Sequence, residues 1–346
     1  MRNLFKLCIF GSVALVLGGC KSQTPPPVAN TAGQSTDMQV VRIDPALDAL
    51  IAPGTPIEKV ATGFMFTEGP MGHEGRLWFS DVVGNRMYAM TPDGKVTLMI
   101  ERSGGLDNPP AAGKFIGSNA MATDKDGSVL MEQHGVRRIA RLQGDSPGQI
   151  KMTTVLDKFE GKRFNSPNDL VFAPDGTLWF TDPPYGLAGG DQDPAKKLKF
   201  NGVFRYAHGK LTAAIQDLTR PNGIGLTADG KTLYISNSGP DMYVVKYQVA
   251  PDGTVSNPVK VISYPGTAPD VPDGLKLDSA DNLWTTGPGG IRIISPAGKV
   301  LGQIKLPEVA ANLAWADDGT TLYITASTSI YRLKVKTPGK MPLYQK

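Results

Sequence analysis

One hairpin, written six times, constrains this chain more than anything else in it. Each copy opens on a residue with a side-chain oxygen, runs through a short apolar stretch and turns at a DG-like step. It then returns on a strand that ends in small or polar residues. The copies read EGPMGHEGRLWFSD from Glu68, NAMATDKDGSVLMEQ from Asn119 and NDLVFAPDGTLWFTD from Asn168. They continue as NGIGLTADGKTLYISN from Asn222, DGLKLDSADNLWTTG from Asp273 and NLAWADDGTTLYITA from Asn312. The spacings between openers are 51, 49, 54, 51 and 39 residues. Repeats of about 40 to 50 residues with strand signatures are β-propeller blades of about four strands each. Six copies therefore predict an all-β, six-bladed β-propeller. A β-sandwich with coincidental hairpins would not hold one register six times. Forty Gly and 28 Pro beside 20% charged residues agree, since they suit short strands and tight turns better than helices.

The repeat also predicts geometry. Within a hairpin, the opener and the end of the return strand lie at the same end of the blade. With the opening strand innermost, as in propellers generally, the six openers ring one mouth of a central channel. Glu68 and Asp273 on such a ring carry charges whose burial is costly unless a cation compensates. Two carboxylates with several amide oxygens form an all-oxygen donor set for a hard divalent cation. The return strands end on a second ring of Asp81, Gln133, Asp182, Asn237, Gly287 and Ala326, which predicts open space near blades five and six. The three His lie in different repeats with no zinc-ligand spacing. His134 ends a return strand and is a candidate substrate contact, whereas His73 and His208 beside turn glycines read as solvated. The long insertion from Thr181 carries Tyr185 close to the mouth and reads either as a lid over the cation or as a surface loop.

The N-terminus reads as an address. Arg2 and Lys6 precede an apolar run from Leu7 to Leu17, then Gly18, Gly19 and Cys20. Leu17-Gly18-Gly19-Cys20 resembles the lipobox of bacterial lipoproteins, which implies cleavage of residues 1–19 and acylation of Cys20. Lys21 in place of Asp predicts the outer membrane, periplasm-facing. Residues 20–45, polar and Pro-rich, are expected to form a flexible tether, and residues 46–346 the propeller. The only other Cys, Cys8, leaves with the signal, so no disulfide is expected. Without residues 1–19 the chain has 34 basic against 32 acidic side chains, and it lacks a basic stripe interleaved with aromatics. Nucleic acid is not an expected partner.

FTEGP, RFNSPNDLVFAPDGTLWFTDPPYG, RPNGIGLTADGKTLYISNS and PDGLKLDSADNLW resemble the senescence marker protein/gluconolactonase/luciferin-regenerating enzyme-like family, bacterial gluconolactonase branch. The resemblance covers roughly residues 57–335. It implies a six-bladed propeller whose channel holds a catalytic divalent cation, often Ca2+, with Mg2+, Mn2+ or Zn2+ as alternatives. It implies Glu68, Asn168, Asn222 and Asp273 as ligands, four of the six openers found from register alone. Asn119, Asp182, Tyr185 and His134 are the expected substrate contacts. The implied reaction is attack of water on a sugar lactone carbonyl. The cation then meets the developing charge, and Asp273 serves as base or nucleophile, with Asp182 the outside candidate for base. Animal lactonases of the family carry an Arg two residues before the PND-type Asn, where this chain has Ser166. Two other functions fit the same fold: organophosphate hydrolysis at the same cation, and a non-catalytic periplasmic binding propeller.

Overall fold

In a computed structural model describing residues 37–108, 114–266 and 270–340, the chain forms six antiparallel blade sheets around a channel, with a small two-stranded ribbon of Lys158–Phe159 and Lys162–Arg163 beside them. Blade 1 comprises Thr67–His73, Arg76–Asp81, Arg86–Met90 and Val96–Glu101. Blade 2 comprises Ser118–Thr123, Val129–Gln133, Arg138–Gln143 and Lys151–Leu156. Blade 3 begins with Leu170–Phe172 and Leu178–Asp182, and blade 4 with Pro221–Leu226 and Thr232–Ser238. Blade 5 begins with Leu275–Leu277 and Leu283–Gly287, and blade 6 with Ala310–Ala316 and Thr321–Ala326. The first strand of each blade touches the first strand of the next, from blade 6 back to blade 1, so the ring is closed with these strands innermost.

The return strands explain why the blades stack. Period-two alternation sends successive side chains to opposite faces. Leu77 and Phe79 pack against blade 6, whereas Trp78 between them packs against blade 2. The same split recurs with Leu178 and Phe180 against Trp179, and with Leu233 and Ile235 against Tyr234. Blade 2 follows the rule with Val129 and Met131 on one face and Leu130 on the other. A fully buried aromatic or Leu side chain contributes about 1.5–3 kcal/mol, and every inter-blade interface receives several. No disulfide is called for.

The last blade is completed from the other end of the chain. Glu58–Thr62 pairs antiparallel with Ser329–Lys334, so hydrogen bonds join the N-terminal and C-terminal parts of the propeller. One boundary differs from expectation. Gln39–Arg42, within the residues assigned to the tether, adds a fifth strand to blade 5 by pairing with Val300–Lys305, and Asp44 caps the 3-10 turn Pro45–Ala49. Two adjacent valines, Val40 and Val41, between polar residues are too short a run to register as a strand. The signal and Cys20 lie outside the described residues.

Candidate active site

The openers stand at the upstream ends of the inner strands, at one mouth of the channel. In four blades the pairing register slips there: between Glu68 and Met71, Ser118 and Met121, Pro221 and Ile224, and Ala310 and Asn312. In blades 3 and 5, Asn168 and Asp273 precede the first paired residues, Leu170 and Leu275. Such irregularities release a side chain from the pleat and re-aim it. Gly69 makes one of them possible. Its φ is 54°, and a Cβ there would run into the backbone carbonyl of Asn119 in the next blade.

The contacts at this mouth interlock. Glu68 is only 4% exposed, and its Oε2 accepts from Asn312 Nδ2 at 3.0 Å and from the Gly69 amide. Asp273 is half-buried, and its carboxylate meets the Asn222 amide. Asn222 Nδ2 also donates to Ser238 Oγ at 3.1 Å. The Tyr185 hydroxyl lies against Ser238 and Asn222 within the field of Asp273, and its ring lies 6.0 Å from the Arg220 guanidinium. Tyr185 thus lies beside the openers Asn222 and Asp273. Asn119 Nδ2 and His134 Nε2 are 3.3 Å apart, both residues buried, with Asn119 Oδ1 unpartnered and the His134 ring against the backbone of Phe115 and Pro167. Burial pushes the His134 imidazole down to about 4, so it is neutral at physiological pH.

Charge decides what this mouth can hold. Burial pushes the Glu68 carboxyl up to about 7, with Asp169 adding to the rise. Burial, then Glu68, then Asp169 push Asp273 well above the ordinary carboxylate range. Glu68, Asp169 and Asp273 therefore share one poorly solvated space with a fourth carboxyl group, that of the fully buried Glu132, which burial and then Asp169 push well above the ordinary carboxylate range. Lys276 is the cation that offsets them, with its Nζ 3.0 Å from Asp169 Oδ2. Against several carboxyl groups, this single ammonium leaves an excess of negative charge that a divalent cation would offset. Among the described residues, no three His, Cys, Asp or Glu side chains are placed to hold a metal by themselves. Any cation here must take amide oxygens as well, as the Asn openers allow.

Several expectations need correction. Asp182 is fully buried, and its two oxygens accept the Asn165 and Ser166 amides at 2.7 Å each. Asp81 receives the Met65 and Phe66 amides, and Asn237 the Arg220 amide, in the same way. These second-ring residues brace the backbone two and three residues before an opener. Asp182 thus faces that backbone rather than substrate, although burial lifts its carboxyl to about 7. The space expected at Gly287 is taken by the Tyr264 ring, which a Cβ there would strike. His73 is buried edge-on to Trp78 at 4.7 Å rather than solvated, while His208 is exposed. Asp169 and Lys276 were not anticipated. Their signal was available: they are the charged residues one and three places after an opener, where the other copies carry small or apolar side chains.

The opposite end of the channel is chemically different. A cavity of about 140 Å³ there is lined by downstream inner-strand residues, among them Met71, Met121, Phe172, Ile224 and Trp315, with Lys276 at its inner end.

The buried acids give the cation-free protein a particular pH response. Glu68 holds its proton up to about 7 in the native state but releases it near 4.5 when unfolded. Between those values the native state binds more protons, so stability falls as pH rises. His134 runs the other way, but its contribution is complete above about 6.5, the unfolded value. Chelator-treated protein should therefore melt lower at pH 8 than at pH 6.5, and added calcium should raise the melting temperature more at pH 8. Calorimetry at both pH values, with and without calcium, checks this; an equal calcium increment would contradict it.

Comparison with known proteins supplies independent findings. The sequence pattern of the SMP-30/Gluconolactonase/LRE-like region matches residues 66–328. The gluconolactonase of Zymomonas mobilis is 36% identical over 325 residues, covering 90% of each chain. The pentonolactonase XacC of Haloferax volcanii is 26% identical over 278 residues, covering 78% of this chain and 84% of that one. Among solved structures, a gluconolactonase from Xanthomonas campestris superposes with a TM-score of 0.74 at 26% identity, covering 91% of this chain and all of the other.

Proposed function

Because the chain belongs to the SMP-30/Gluconolactonase/LRE-like family, we propose that it is a lactonase dependent on one divalent cation held by Glu68, Asn168, Asn222 and Asp273. Its substrate is a small sugar lactone of the gluconolactone kind. The observation that carries the reading is the pair Glu68 and Asp273, buried in one field with charge in excess of what Lys276 offsets. Ca2+ suits two carboxylates and two amide oxygens, with Mg2+, Mn2+ and Zn2+ as the alternatives to test. Bound there, such a cation supplies Lewis-acid polarisation of the ester carbonyl.

The chain's own side chains do the rest. Asp273, half-buried at the mouth, takes the proton of the attacking water or attacks the carbonyl itself. The Tyr185 hydroxyl beside Asn222 and the Asn119–His134 pair offer donors and acceptors to the hydroxyls of the sugar ring. Ser166 Oγ donates to Pro183 O at 2.6 Å and is turned into the insertion loop. The sugar is therefore gripped without an Arg at that position. The same proposal puts the enzyme on the periplasmic face of the outer membrane through acylated Cys20, supported by Leu17-Gly18-Gly19-Cys20 for the anchor and by Lys21 for the membrane.

Hydrolysis of D-glucono-1,5-lactone and other aldonolactones, followed by proton release, tests the reading. Chelator should lower the rate at least about tenfold, and calcium add-back should restore it. Rates indifferent to chelator would remove the cation from the reaction. Turnover of phosphotriesters but of no lactone would favour the organophosphate alternative.

A further inference from the structure

We propose that Lys276 is a positioning residue of the cation site, fixing which way the Asn312 amide faces and hence where the Glu68 carboxylate sits. The inference rests on the reading of Glu68 as a cation ligand. Lys276 Nζ lies 3.0 and 3.4 Å from the two oxygens of Asp169 and 3.4 Å from Asn312 Oδ1. An ammonium group only donates, so Asn312 must turn its oxygen toward it. The Leu313 amide, 2.9 Å from the same oxygen, supports that orientation. Asn312 Nδ2 is then left to donate to Glu68 Oε2 at 3.0 Å. One polar chain thus runs from Asp169 of blade 3 through Lys276 of blade 5 to the openers Asn312 of blade 6 and Glu68 of blade 1.

Asp169 anchors the chain. It is 2% exposed and is itself held by the Leu170 and Ile224 amides at 2.9 and 3.3 Å. Lys276 does not belong to the general blade pattern. The equivalent residues three places after the other openers are Met71, Ala122, Val171, Gly225 and Trp315. A half-buried lysine in this row requires its own explanation, and its bonds lead to Asp169 and to a ligand's partner, Asn312.

The sign of one effect tests the proposal. Removing a positive charge from beneath a cation site should tighten cation binding on Coulomb grounds alone. Removing a residue that orients a ligand should weaken it, by about tenfold for a supporting hydrogen bond. Calcium titration calorimetry on the wild type, K276M and K276Q separates the two, with calcium-induced melting shifts as a second readout. K276M is expected to bind about tenfold more weakly. K276Q, whose amide can still donate to Asp169 and Asn312, is expected to stay within about threefold of wild type. Joint tightening of both variants, or wild-type affinity in K276M, overturns the inference. N312L cuts the same chain at its next link and decides the matter should K276M fail to fold. It is expected to weaken binding by a similar factor, and unchanged affinity overturns the proposal. A wild type that takes up no divalent cation sinks the site reading and this inference with it, whereas a binding wild type with unaltered variants sinks this inference alone.

Discussion

Asp273→Asn is expected to lower kcat on glucono-1,5-lactone by about three orders of magnitude at saturating calcium. Without calcium, the variant propeller should melt no lower than cation-free wild type. The two halves of this expectation come from different parts of one residue. The backbone of Asp273 is structural: its amide donates to Thr286 Oγ1 at 2.9 Å, and its carbonyl accepts from the Gly223 amide at 3.1 Å and from Ser236 Oγ. None of these bonds needs the carboxyl group. The side chain, by contrast, faces Asn222 and the charges of Glu68 and Asp169. An amide of equal size keeps the shape, removes a repelled charge and cannot take a proton from water. Steady-state rates corrected for spontaneous lactone hydrolysis, with calorimetry alongside, check both halves. Activity within tenfold of wild type would remove Asp273 from the chemistry.

The blades were legible in the sequence because a propeller repeats its instructions. Each return strand places large side chains on both faces, and each turn follows an Asp-Gly-like step, so six weak signals in register became one strong one. The opener ring was legible for the same reason, since side-chain oxygens recurred at the one position that faces the channel. What escaped was whatever repetition does not carry. Asp169 and Lys276 break the pattern at their rows, and a single departure in a sequence does not announce its partner across the channel. The second ring misled differently. Asp81, Asp182 and Asn237 recur because three blades need the same backbone brace. A recurring polar residue reads alike whether it serves a ligand or a loop. The closing strand Glu58–Thr62 lies outside any copy of the hairpin, and its partner is about 270 residues away by number, beyond what local pattern reaches.

Glu68→Gln should separate cation holding from chemistry at the same mouth. Calcium affinity is expected to fall about a hundredfold, because the charge count of the ligands sets affinity in oxygen-donor sites. The local geometry sharpens the expectation. Both the Gly69 amide and Asn312 Nδ2 donate to one oxygen, Oε2. A glutamine must put its carbonyl oxygen there to keep those bonds. Its NH2 group then replaces the other carboxylate oxygen and offers a donor where a cation needs an acceptor. Cation-free E68Q should melt higher than the cation-free wild type at pH 8, since the native state no longer buries a carboxylate held up to about 7. Activity should return as calcium is raised, with kcat approaching wild type, whereas Asp273→Asn should stay inactive at any concentration. Calcium titration and rate measurements across a calcium series provide the check. Wild-type calcium affinity in E68Q would mean that the buried carboxylate of blade 1 faces something other than a cation.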